Sequence, residues 1–146
     1  MSQKAVRQTA QAILDALGCP EAELSIVILD DEQIAGLNRR YLNRRGPTNV
    51  IAFPMQEGAF GHLTPGLLGD VAVSVETAKR EALAAGMRID RRFNELLVHG
   101  ILHLLGYDHE NDTAKARVME EKAAEVMEML GQKDQIRNPK HEIRNK

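Results

Sequence analysis

Residues 99–109 read His-Gly-Ile-Leu-His-Leu-Leu-Gly-Tyr-Asp-His. His99 and His103 are four apart, so on a helix of about 3.6 residues per turn both imidazoles leave one face. At that spacing two neutral ring nitrogens reach one metal ion. Gly106 lets the chain leave the helix through a left-handed turn, which brings His109 back toward the same ion as a third ligand. Three imidazoles with a fourth position for water form the donor set of a catalytic zinc site holding one ion, rather than a closed structural site. Taken singly, each histidine has an ordinary reading as a packed or surface residue. Two of these lie in an otherwise apolar helix, where burial without a ligand is costly, and this decides for the metal. His62, in a glycine-rich stretch, and His141, near the C-terminus, are read as solvated.

The spacing H-x-x-x-H-x-x-G-x-x-H coincides with that of the metzincin proteases. In those enzymes the residue after the first histidine is a glutamate that takes a proton from zinc-bound water. Here that residue is Gly100, which has no side chain. The metal cage is present and the protease base is absent, which argues against peptide hydrolysis by the usual route.

A chain of 146 residues allows one domain with a real core. Its 43% hydrophobic and 27% charged residues are those of a globular protein, and a net charge of −2 excludes a polycation. The single cysteine, Cys19, rules out an internal disulfide framework and a cysteine-based zinc ribbon. No apolar run approaches the roughly 18 residues of a membrane span, and the N-terminus lacks the apolar region of an export signal. The expectation is a cytoplasmic protein with no membrane partner.

The histidines need elements to hold them. Residues 3–18 carry Ala5, Ala10, Ile13, Leu14 and Leu17 at helical spacing, stopped by Gly18 and Pro20. Residues 23–30 are rich in β-branched side chains and read as a buried strand. Asp30 or Asp31 caps a second helix with Ile34, Leu37 and Tyr41 on one side. A turn at 44–47 leads to a strand at 48–53, closed by Pro54. Residues 55–67, holding Gly58, Gly61, Pro65 and Gly66, read as a long loop or irregular hairpin. A third strand spans 67–75, and a helix follows over 76–85, ended by Gly86. Asp90 is the expected N-cap of an apolar helix over 91–105, ended by Gly106. Asp112 caps a last amphipathic helix to Leu130, with Val118, Met119, Val126, Met127 and Leu130 inward. The pattern predicts an α+β fold: one small domain over 1–130, with a three- or four-stranded mixed sheet packed against helices and a metzincin-like metal-binding helix. Residues 131–146 form a polar, flexible tail.

HGILHLLGYDH resembles the signature of the YbeY family, metal-dependent endoribonucleases of ribosomal RNA maturation. Leu37-Asn38 through Tyr41, followed by PTNVIAFP at 47–54, and LLGDVAVS at 67–74 agree with it. The resemblance runs from about Leu24 to Leu130. It implies zinc held by His99, His103 and His109, single-stranded RNA as substrate, a role at the 3′ end of small-subunit rRNA and ribosome quality control. The family often carries an arginine directly after the tyrosine matching Tyr41; here that position is Leu42. Members also often begin with an extra strand, so this sheet is expected to be one strand smaller.

Arg39, Arg40, Arg44 and Arg45 put four guanidiniums into seven residues, and Arg88, Arg91 and Arg92 form a second group. Arginine suits phosphate, and a local patch acts despite an acidic chain. The competing reading is that arginines near helix ends are solvated and complement helix termini. With few aromatic residues, extensive base stacking is not expected, so recognition rests on backbone charge and shape; that the partner is RNA rather than DNA is what the resemblance implies. Arg44 is the candidate that neutralises charge at the scissile phosphate, with Arg40 and Arg45 as candidate substrate-binding residues. For the base, three candidates stand: the zinc-bound water, Glu95 one turn before His99, and Asp70 orienting a ligand histidine. Glu95 and Asp70 read equally well as structural carboxylates. The alternative to an enzyme is a non-catalytic ribosome-assembly factor with a structural metal, toward which Gly100 and Leu42 both lean.

Overall fold

The computed structural model describes residues 2–55, 66–108 and 112–137. Helix α1 (Gln3–Ala16) starts at Ser2, whose hydroxyl accepts the Ala5 N–H at 3.0 Å. Strand β1 (Glu23–Leu29) follows, then α2 (Asp31–Leu42), β2 (Val50–Pro54), β3 (Leu67–Ser74), α3 (Val75–Ala85), α4 (Ile89–Leu104) and α5 (Thr113–Arg137). Among the described residues no helix is long and apolar enough to cross a membrane.

Among the described residues the sheet is three-stranded and mixed, in the order β1-β3-β2, with β1 parallel and β2 antiparallel to β3. The α+β architecture, with a mixed sheet packed against helices, is as the sequence predicts. Alternation along β3 divides the core. Val71 and Val73 face α4 and join Phe93, Leu97, Val98, Ile101, Met119 and Val126 in the main cluster. Ala72 faces the other way and meets Ile34 of α2 and Ile51 of β2 in a smaller one.

Several expectations are corrected. β1 is an edge strand, not a buried one: Val27 and Ile28 are 41% and 43% exposed, because only one side of it pairs. In α1 the inward positions are Val6 and Ala12 with Ala10, Ile13 and Leu14, while Ala5 is exposed. Tyr41 lies exposed at the end of α2, although its ring meets Phe53 edge-on at 5.5 Å. The N-cap of α4 is Arg88; Asp90 lies within the first turn and binds the Arg88 guanidinium at 3.1–3.2 Å. Asp112 does cap α5, accepting the Lys115 N–H at 3.0 Å. Val118 is exposed rather than inward, and α5 continues past Leu130 to Arg137. His62 and His141, and most of the 55–67 loop and the end of the tail, lie outside the described residues.

Candidate metal centre

α4 positions the histidines through its own burial. Phe93, Leu96, Leu97, Ile101 and Leu102 turn one side of the helix into the core, leaving His99 and His103 half-buried on another. The helix lies unusually close to the sheet. A Cβ built at Gly100 would stand 2.6 Å from Val71 Cγ1 and 3.2 Å from Val50 Cγ2. Gly100 is therefore a packing residue as well as the missing protease base; a glutamate there would have to displace two strands. Gly69 does the same for the strands. Its φ of +141° and a Cβ position 2.2 Å from the Phe53 carbonyl oxygen admit only glycine. The β1–β3 register shifts at that point, where Leu67 pairs with Glu23 but Asp70 pairs with Ser25.

The two imidazoles converge. Nε2 of His99 and Nε2 of His103 are 3.2 Å apart, with the rings 71° to one another. Two nitrogens bound at about 2.0–2.1 Å to one tetrahedral ion would stand about 3.3–3.4 Å apart. The pair therefore fits a single zinc. His109 lies outside the described residues, beyond the turn that Gly106 makes at φ +100°.

The histidines line a cleft of about 1280 Å³ between α4, the end of α5 and the outer side of β2. Arg44, on the segment that follows α2, reaches this cleft together with Leu42, the last residue of α2. Arg40 and Arg45 do not line it; the Arg40 guanidinium instead stands 6.0 Å from the centre of the Tyr41 ring. Glu95 lines the cleft, where Arg92 Nη1 donates to it at 2.9 Å and Arg91 lies 3.9 Å away. Arg92 also donates to Glu81 at 2.9 Å, and Glu81 accepts from the Asn49 side-chain amide at 3.2 Å. Asp70 pairs with Phe53 on the side of β3 shared with Ala72, away from α4, so it does not orient His99 or His103; His109 lies outside the described residues.

Two contributors were given no role of their own from the sequence, although both lie in the blocks that carry the family resemblance. Asn49 belongs to the TNV block and forms the cleft wall with Arg92. Asn38 is buried, and its side-chain amide donates to the Gly46 carbonyl at 3.0 Å. The Asn38 backbone carbonyl accepts the Arg44 N–H at 3.2 Å, so one residue ties down the segment that carries Arg44. A polar residue one turn after Ile34 on the apolar side of α2 was the available signal.

The family model described as "Endoribonuclease YbeY" matches residues 1–131. A relative from Geobacter metallireducens, named endoribonuclease YbeY, is 51% identical over 126 residues, covering 86% of this chain and 84% of its own. Another of that name, from Syntrophotalea carbinolica, is 52% identical over 122 residues, covering 83% and 81%. A Thermotoga maritima protein with a known solution structure shares the fold at a TM-score of 0.65 and 21% identity, over 94% of this chain and 88% of that one. Extent and identity together place the chain in the YbeY endoribonuclease family.

Proposed function

We propose that this chain is a zinc-dependent endoribonuclease that cuts single-stranded RNA in ribosomal RNA maturation, at the 3′ end of the small-subunit rRNA and in ribosome quality control. The observation that carries the proposal is the convergence of His99 and His103 in a cleft whose walls present Arg44, Arg91 and Arg92. The relatives' name supplies the reaction class. His99, His103 and His109 would hold the ion, and zinc held there would supply Lewis-acid charge at the scissile phosphate. Arg44 lines the same cleft, and its guanidinium is the candidate to neutralise charge that builds on the phosphate oxygens in place of the family arginine absent at Leu42. Glu95 is engaged by Arg92 and Arg91, so its part is to hold the cationic wall in place. The buried side of α4 stands against the alternative of a structural metal, because Phe93, Leu97 and Ile101 pack the helix without help from the histidines.

The test is cleavage of an end-labelled single-stranded RNA by zinc-loaded protein, with His103→Ala as the control for contaminating nuclease. Cleavage by the wild type alone is expected, and chelation should abolish it while the circular-dichroism spectrum stays folded. Unfolding on chelation would favour the assembly-factor reading. Equal traces from both proteins would remove the enzyme reading.

A further inference from the structure

β2 is the last strand of the sheet, and among the described residues no strand lies along its outer side. Its hydrogen-bond phase can be read from one contact. Ser74 N–H donates to the Asn49 carbonyl at 2.9 Å, and Val50 stands opposite Val73. In an antiparallel ladder bonded and non-bonded pairs alternate, so Asn49, just before β2, and Ile51 and Phe53 within it bond to β3. Val50 and Ala52 therefore turn their N–H and C=O groups away from β3. Both line the cleft that holds His99 and His103.

The edge runs alongside the metal-binding helix. Val50 lies beside Gly100, while Gly69, which pairs with Pro54, lies beside Leu104. Ala52, midway between, falls level with the turn that carries His103. Val50 and Ala52 are two residues apart, about 6.8 Å along the strand, so they present two like groups to an extended chain. Arg44, Arg91 and Arg92 line the same cleft together with Glu95, Asp108 and Glu128, so the lining carries both signs, and it is the RNA of the proposed function that makes an anionic chain the occupant.

We propose that the open edge of β2 is the rail on which the RNA backbone lies, with the Val50 and Ala52 N–H groups donating to phosphate oxygens. The two carbonyls on the same edge accept from 2′-hydroxyls, which DNA lacks. An open strand edge is ordinarily protected by charge, bulge or cover, and here it is turned into a charged cleft instead. The inference rests on RNA being the substrate of the cleft.

The experiment is fluorescence anisotropy of a labelled single-stranded RNA with the full chain, which reads binding whether or not cleavage occurs. Ala52→Pro removes one outward N–H and no β3 bond, and proline is tolerated on an edge strand. A backbone ester at residue 52 removes the same N–H and keeps the alanine side chain, which covers the case in which Ala52→Pro fails to fold. Either change should raise the Kd about fivefold to tenfold, the effect of one charge-assisted hydrogen bond at a wet site. A single neutral methylphosphonate scanned along the RNA should weaken wild-type binding at the two linkages that Val50 and Ala52 hold, and should leave the ester variant unaffected at one of them. A DNA strand of the same sequence should bind more weakly than RNA. Wild-type RNA binding with a folded ester variant of equal affinity, or equal affinity for DNA, overturns the rail while leaving the RNA substrate in place. Binding of an extended peptide but no RNA by the wild type overturns the RNA substrate and the rail with it.

Discussion

On one side of the sheet α4 lies so near the strands that a Cβ at Gly100 would collide with Val71, and within the sheet a Cβ at Gly69 would collide with the Phe53 carbonyl. On the other side α2 rests on Ile34, Ile51 and Ala72, and its own Gly36 has nothing within 4 Å of where a side chain would begin. The first side carries both described histidines and most of the buried core; the second is held by a thin apolar contact and by polar groups at its end. The difference shows how this small domain places a metal-binding helix. Removing side chains from the interface fixes the distance between helix and strand, because backbone and β-branched side chains yield less than long ones. The second side has no such distance to keep.

The largest effect is expected from Gly69→Ala. It combines a positive φ with contact against backbone atoms on both flanks, Phe53 O and Met55 N, that cannot rotate away. A loss above about 3 kcal/mol in urea unfolding follows, since backbone strain of about 1–3 kcal/mol adds to the displacement of β2. Matched deletions on the two sides come next. Phe93→Ala should cost about 3–5 kcal/mol and Ile34→Ala about 2–3 kcal/mol, because the α2 side has less around it to leave as a cavity. Equal losses in the same unfolding series would dissolve the contrast.

Gly100→Ala tests the distance argument itself. One methyl must push against Val71, whose branched side chain is fully buried, so a cost of about 1–3 kcal/mol is expected. Shortening the neighbour as well, in Gly100→Ala/Val71→Ala, should recover part of that loss, a coupling a double-mutant cycle reads directly. If the two single changes simply add, the helix is not set by this contact. The rescued double variant should also recover RNA cleavage better than Gly100→Ala alone, because His99 is the adjacent residue.

Much of this fold is legible along the chain, for reasons that differ from element to element. Gly18, Gly86 and Gly106 mark helix ends because a left-handed residue is cheap only there, and each has a positive φ. The i, i+4 histidines are legible because helical spacing alone brings their nitrogens together. What escaped depends on neighbours distant in sequence. A run such as Ser25–Leu29 reads the same at the centre of a sheet as at its edge, so the exposure of Val27 and Ile28 follows only from strand order. Asp90 is a good N-cap by type, but its carboxylate is taken by Arg88 and by the Arg91 N–H, one position late. Gly100 reads in sequence only as an absent base; that it lets α4 approach the sheet emerges when Val50 and Val71 are beneath it. Asn38 escaped for the same reason, since its partner at Gly46 belongs to a turn rather than to its own helix.

The smallest effect, and the one that marks the α2 side as its own, is a dependence on acid. Asp31, at the start of α2, accepts from Arg80 at 2.6 Å, from the Thr77 hydroxyl at 2.6 Å and from the Ser74 hydroxyl at 2.7 Å. These donors, Arg80 foremost, hold its carboxyl down at about 2. Because the folded value lies below the unfolded one of about 3.9, folding favours the ionised form, and the stabilisation is complete above that unfolded value. It is lost as pH falls from about 4 through about 2. Other carboxylates titrate in that range, so the informative quantity is the difference between wild type and Asp31→Asn. That difference in urea midpoint should be steady from neutral pH down to about 4 and shrink below it. Arg80→Ala should shrink the neutral-pH difference, because the first of the three donors is then gone while both hydroxyls remain. A difference that stays constant to pH 2 would mean that Asp31 serves as a neutral acceptor, and that the junction of α2 with α3 is held by packing, as the α4 side is.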